Sequence, residues 1–141
     1  MSSKPFIADF SITASWFFND ERDEYSDFTL DYCYKFRAVV PFLWKFEVTN
    51  TILIAAKRAR ITSAKIIKTI DFLNSLPINI SNFDLPMYEI MNTARTNNLT
   101  SYDATYLLTA MHEGLPIATN DKALIKACHN NGVPLLKENL S

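Results

Sequence analysis

The chain has 141 residues, enough for one domain of common size around a single buried core. Hydrophobic residues make up 48% and charged residues 21%, and no apolar run reaches the ~20 residues a membrane-spanning helix needs. A net charge of −1 excludes a binder that works through bulk positive charge, so a polyanion would need a local basic patch or bound metal.

The start, Met-Ser-Ser-Lys-Pro, lacks the apolar h-region of a signal peptide, so a cytoplasmic location is expected. Only two cysteines occur, Cys33 and Cys128, and both fall in helix-like stretches. They are expected as buried thiols rather than as a disulfide or as metal ligands.

In chain order, Pro5 to Asp9 is a short apolar run that predicts a first strand. Ser11 to Phe18 turns helical, and Tyr25, Phe28, Tyr32 and Phe36 recur at helical spacing through the polar, aromatic stretch that follows. Ala38-Val39-Val40-Pro41 reads as a strand closed by proline. Leu43 to Arg60 is the clearest helix, with Trp44, Val48, Ile52, Ala55 and Ala59 on one apolar stripe. Thr62 can cap the next helix, whose Ile66, Ile67, Ile70 and Leu73 are expected to face inward before Pro77 stops it.

Ile78-Asn79-Ile80 is a short strand, followed by a helix from about Asp84 to Asn98 with Met87, Ile90, Met91 and Ala94 on one side. Thr100 to Glu113 is helical and ends at Gly114, which suits a left-handed position. Pro116 to Thr119 is a strand, Asp121 to Asn131 a helix, and Val133 to Leu136 a last strand. Such alternation predicts an α/β fold in three layers, α/β/α, with a mostly parallel sheet of 4–5 strands, as one domain over residues 1–141.

Four acids punctuate this pattern: Asp9, Glu47, Asp103 and Asp121 each stand where a strand-like run ends or a helix begins. In a parallel sheet such positions face one crevice at the carboxyl edge. Asp9, Asp103 and Asp121 also have a local explanation as helix-start residues, since acids favour that end of a helix. Glu47 lies beside an apolar stripe, with Asn50 and Thr51 close enough to orient it, and Asp103 shares a face with Leu107 and Ala110. Carboxylates gathered on such faces need a partner or a metal. Hard oxygen donors suit Mg²⁺ or Mn²⁺ and suit Zn²⁺ poorly.

Five segments together resemble the PIN-domain ribonucleases, and among them the VapC-type toxins of type II toxin–antitoxin systems. They are Ile7-Ala8-Asp9-Phe10-Ser11, Val40-Pro41 leading into Trp44 to Asn50, Leu99 to Ala104, Gly114 to Asp121, and Gly132-Val133-Pro134-Leu135. The resemblance implies that Asp9, Glu47, Asp103 and Asp121 are the catalytic acids that bind Mg²⁺ or Mn²⁺. It also implies that Thr119, Ser11 and Asn50 support them. The expected activity is endoribonuclease, hydrolysing RNA phosphodiester bonds with metal-activated water. Phe10 departs from the family pattern, in which a smaller residue is common, and narrows the edge of the expected site.

The resemblance further implies a VapB-like antitoxin that wraps the toxin, a homodimer, and DNA contact only through the antitoxin. Trp16 to Phe18 and Tyr25 to Phe36 are expected to offer it apolar grooves. Lys45, Arg58, Arg95, Lys122 and Lys126 are candidates for steering RNA, with Arg95 and Lys122 foremost because each lies near an acid or the loop before one. His112 and His129 are expected as surface or packing residues. A receiver domain would need an acceptor Asp after the central strand, where Ser81-Asn82 stand, and a dehalogenase-like phosphatase would need Asp-x-Asp in place of Asp9-Phe10-Ser11. A non-catalytic PIN-like interaction module and a DNA-directed metal nuclease of the same superfamily would both be compatible with this pattern of residues.

Overall fold

The computed structural model describes residues 4–138. Its strands are β1 (Phe6–Ala8), β2 (Ala38–Val40), β3 (Ile78–Ile80) and β4 (Ile117–Ala118), all parallel and ordered β3-β2-β1-β4. Short β-branched and apolar runs suit this place, because a parallel strand covered on both faces has no polar side. Phe6, Ile7 and Ala8 of β1 are fully buried. The expected last strand shrinks to a single parallel bridge between Leu135 and Ile117, since Pro134 has no N–H to extend a ladder.

Seven α-helices fill the connections among the described residues. Two of them, α1 (Phe10–Phe17) and α2 (Glu24–Phe36), join β1 to β2, with a 3₁₀ turn at Asn19–Glu21 between them. Asp23 and Ser26 form a reciprocal capping box that starts α2 afresh. Helices α3 (Leu43–Lys57) and α4 (Ser63–Ser75) join β2 to β3. The chain then doubles back through α5 (Met87–Asn97) and α6 (Ser101–Glu113) to β4 and α7 (Lys122–Asn130).

Right-handed crossovers running in opposite directions from β1 place their helices on opposite faces of the sheet, which gives three layers. Accordingly α1 packs on α2 and α3, and α6 packs on α5 and α7. The direction of winding reverses between β1 and β4, so the crevice at their carboxyl ends is the switch point of the fold.

Local signals hold at several boundaries. Thr62 and Thr100 accept backbone N–H bonds at their helix starts, and Gly114 ends α6 at φ 68°. Other expectations shift. Helix α3 stops at Lys57, and Ala59 lies beyond it at φ 57°, so the buried stripe is Trp44, Val48, Ile52 and Ala55 only. On α4 the inward residues are Thr69 and Leu73, while Ile67 is 63% exposed and Ile70 lies outward as well. Pro86 delays α5 to Met87, and none of its residues is fully buried. Trp16, Phe17 and Phe18 are core residues rather than an open surface, although Tyr34 and Phe36 of α2 are exposed. Both tryptophans anchor to buried threonines, Trp16 to Thr29 and Trp44 to Thr13. Cys33 and Cys128 are free and buried, as expected. No helix among the described residues is long and apolar enough to cross a membrane.

Candidate functional site

Asp9 follows β1 at the switch point and is 3% exposed. It occupies the N-cap position of α1, yet its side chain makes no capping bond. Its Oδ2 instead accepts two hydroxyls, Thr119 Oγ1 at 2.7 Å and Ser11 Oγ at 2.8 Å. Those hydroxyls are themselves oriented. Thr119 Oγ1 accepts the Asp121 N–H at 3.0 Å, and Ser11 Oγ accepts the Asn120 N–H at 3.1 Å. Each oxygen thus receives a fixed amide proton and turns its own proton towards Asp9. The loop after β4 is thereby tied to the end of β1 across more than a hundred residues of sequence.

Asp121 does cap its helix, with Oδ1 accepting the Ala123 N–H at 2.9 Å. Asp103 sits in the first turn of α6, its backbone N–H bonded to Thr100 Oγ1 at 3.1 Å. Its expected neighbours Leu107 and Ala110 are buried. Glu47 lies in α3, half-buried, and its Oε1 accepts the Tyr106 hydroxyl at 2.6 Å. Asn50 and Thr51 make no hydrogen bond to it among the described residues; Tyr106 of α6 holds it instead.

Tyr106 is the residue that sequence reasoning missed. It is fully buried and lies three residues after Asp103, on the same face of α6. A tyrosine inside an apolar stripe carries a hydroxyl that must find a partner, and that was the available signal.

The four acids form one electrostatic group. Burial raises the Asp9 carboxyl above its usual range, opposed by the Thr119 and Ser11 hydroxyls and reinforced by Asp121. Burial pushes Glu47 up to about 7, and the charges of Asp9 and Asp103 add to it against the Tyr106 bond. Burial likewise pushes Asp103 up to about 6, with Asp9 and Asp121 adding repulsion. The Tyr106 hydroxyl is driven far upward by burial and then by Glu47, so it stays a donor.

None of the four acids joins an ion pair among the described residues. Nor do three His, Cys, Asp or Glu side chains stand close enough there to enclose a cation as placed. Hydrated Mg²⁺ needs no such enclosure, since it keeps several waters and is held by one or two carboxylates. An all-carboxylate set whose members raise one another's pKa fits a hard divalent cation.

A family model described as the PIN domain matches residues 7–130. This chain belongs to the PIN-domain family. PIN domains are generally metal-dependent nucleases and typically use Mg²⁺ or Mn²⁺. Among solved structures, the crystal structure of PAE2754 from Pyrobaculum aerophilum matches with a TM-score of 0.68 at 21% identity, covering 88% of this chain and 84% of that one. That likeness concerns the fold alone. No curated protein matches the sequence.

The remaining candidates lie apart from the acid group. Arg95 is an exposed residue in the last turn of α5, beside Met91 and Leu99, and Lys122 is exposed at the start of α7. Lys45, Arg58 and Lys126 are also exposed. His112 pairs with Glu89 at 2.9 Å and packs against Phe83, and His129 is exposed near the end of α7.

Proposed function

We propose that this PIN domain is a Mg²⁺- or Mn²⁺-dependent endoribonuclease that serves as the toxin of a toxin–antitoxin pair. The observation that carries the reading is the buried Asp9, held by two hydroxyls at the switch point and coupled to Glu47, Asp103 and Asp121. Burying a carboxylate without a cationic partner is costly, and a fold keeps such a group where a cation is to be bound.

Asp9 is the fixed ligand in this reading. Asp103 and Glu47 approach from two helices on opposite faces of the sheet, and Asp121 completes the set from the loop after β4. Thr119 and Ser11 aim Asp9, and Tyr106 aims Glu47. When bound, the cation supplies charge neutralisation for the scissile phosphate and activates water for in-line attack. The crevice holds the phosphodiester against the carboxylate edge, and exposed Lys122 next to Asp121 is suited to attract the backbone.

RNA as substrate and the toxin role rest on the five VapC-like segments. A VapB-like antitoxin would cover the acid group, and the exposed Met87, Tyr88 and Met91 on α5 offer a face for a homodimer.

The test is cleavage of labelled RNA and DNA oligonucleotides by purified protein, with Mg²⁺ or with EDTA. RNA cleavage that needs Mg²⁺ and is lost in Asp9→Asn is expected. Undiminished RNA cleavage by Asp9→Asn would overturn the assignment. Induced expression should arrest growth of a bacterial host with the native chain and leave it unaffected with Asp9→Asn; growth arrest by both would remove the nuclease explanation of toxicity.

A further inference from the structure

Three of the four acids are followed or preceded in the chain by an aromatic residue: Asp9-Phe10, Phe46-Glu47 and Tyr102-Asp103. Adjacent residues on a helix point about 100° apart, so each aromatic flanks its acid at the same mouth. Phe10, Phe46 and Tyr102, with Leu43, Glu47 and Asn50, line one open cavity of about 840 Å³. Pockets that take ligands of small-molecule size fall in this range. Phe46 and Tyr102 are 60% and 61% exposed, so neither ring is spent on the core.

We propose that this cavity is a stacking subsite for one unpaired nucleobase of the substrate, beside the bond that is cut. The inference rests on the nuclease reading and adds a substrate class to it: single-stranded rather than paired RNA. Glu47 belongs to both the cavity wall and the acid group, so an occupant of the cavity abuts the carboxylates. The acid group repels a polyanion except where a cation neutralises it, whereas a base is neutral and offers an apolar face to aromatic walls. The Asn50 amide and the Thr49 and Thr51 hydroxyls supply donors and acceptors for a base edge. Bases stacked inside a duplex cannot enter. Phe10, where relatives carry a smaller residue, becomes a wall of the subsite.

The test uses an oligoribonucleotide of about ten unpaired nucleotides containing 2-aminopurine, with Ca²⁺ in place of Mg²⁺ to hold the phosphate. Binding to the full chain should quench the 2-aminopurine emission. Tyr102→Ala and Phe46→Ala should each weaken binding by roughly tenfold, while Tyr102→Phe keeps the affinity. Both rings are exposed, so thermal melting should match the native chain and show that the loss is not unfolding. Affinity unchanged within about twofold in both alanine variants, or equal affinity for the fully paired duplex, would overturn the subsite. If the native chain cleaves RNA in an Asp9-dependent way while the alanine variants bind normally, the subsite alone falls. If the native chain neither binds nor cleaves RNA, the nuclease reading falls with it.

Discussion

The two sides of the acid group are built differently. On the Asp9 side, a carboxylate 3% exposed sits at a strand end, and every hydroxyl that touches it is fixed by a backbone amide. On the Glu47 side, two half-buried acids ride on helices, and a single tyrosine hydroxyl orients one of them. The first side is preorganised and costs stability; the second can adjust when a cation and a phosphate arrive. A centre of this kind combines one rigid anchor with movable arms, which suits an ion that keeps part of its water shell.

The largest effect that separates the sides is expected from Asp9→Asn. The amide is nearly isosteric and neutral, so it removes the ligand charge and the burial penalty together. RNA cleavage should fall by about a hundredfold or more, while the metal-free variant melts at or above the temperature of the native chain. A variant that loses both activity and stability would mean that Asp9 is structural rather than a ligand.

Thr119→Val probes the anchor without touching a carboxylate. It leaves Asp9 with only the Ser11 hydroxyl and strands the Asp121 N–H, which costs about 1–3 kcal/mol of stability. Activity should fall by roughly ten- to a hundredfold, as supporting residues of metal sites do. Tyr106→Phe makes the matching change on the other side, and the difference is the point. The ring stays in the core and water can reach the half-buried Glu47, so stability should change by under about 1 kcal/mol. Mg²⁺ affinity should weaken by roughly tenfold. Titration calorimetry and thermal melts of the two variants would break the comparison if Tyr106→Phe proved the more destabilised.

How much of this was legible in the sequence follows the same division. The four acids stood out because strand ends and helix starts are local features, and the parallel sheet followed from alternation of short apolar runs with helical periods. The caps at Thr62 and Thr100 were legible for the same reason. What escaped depends on contacts between distant residues. Tyr106 meets Glu47 across 59 positions of sequence, so the bond that orients Glu47 left no trace in the local spacing that suggested Asn50 and Thr51. The capping reading of Asp9 was locally sound, and it failed because Thr119, 110 positions away, competes for the carboxylate. The outward Ile67 and Ile70 show the limit of apolar periodicity: it fixes a stripe but not which edge of it meets the core.

The smallest expected effect is a pH dependence of the metal-free chain. Glu47 and Asp103 have folded-state values of about 7 and about 6, above the ordinary 4.5 and 3.8. The folded chain therefore binds these protons more tightly than the unfolded chain does. Their contribution favours folding fully below about pH 4 and is lost as the pH rises through 6 and 7, where the acids ionise in place. Mg²⁺ reverses the trend, because it binds the ionised acids and displaces their protons. The melting gain on adding Mg²⁺ should accordingly be small at pH 5 and larger at pH 8. In Asp103→Asn the gain should shrink at pH 8 and change little at pH 5. An Mg²⁺ gain equal at both pH values would show that these carboxylates do not receive the ion, and would leave Asp9 as an anchor with no arms.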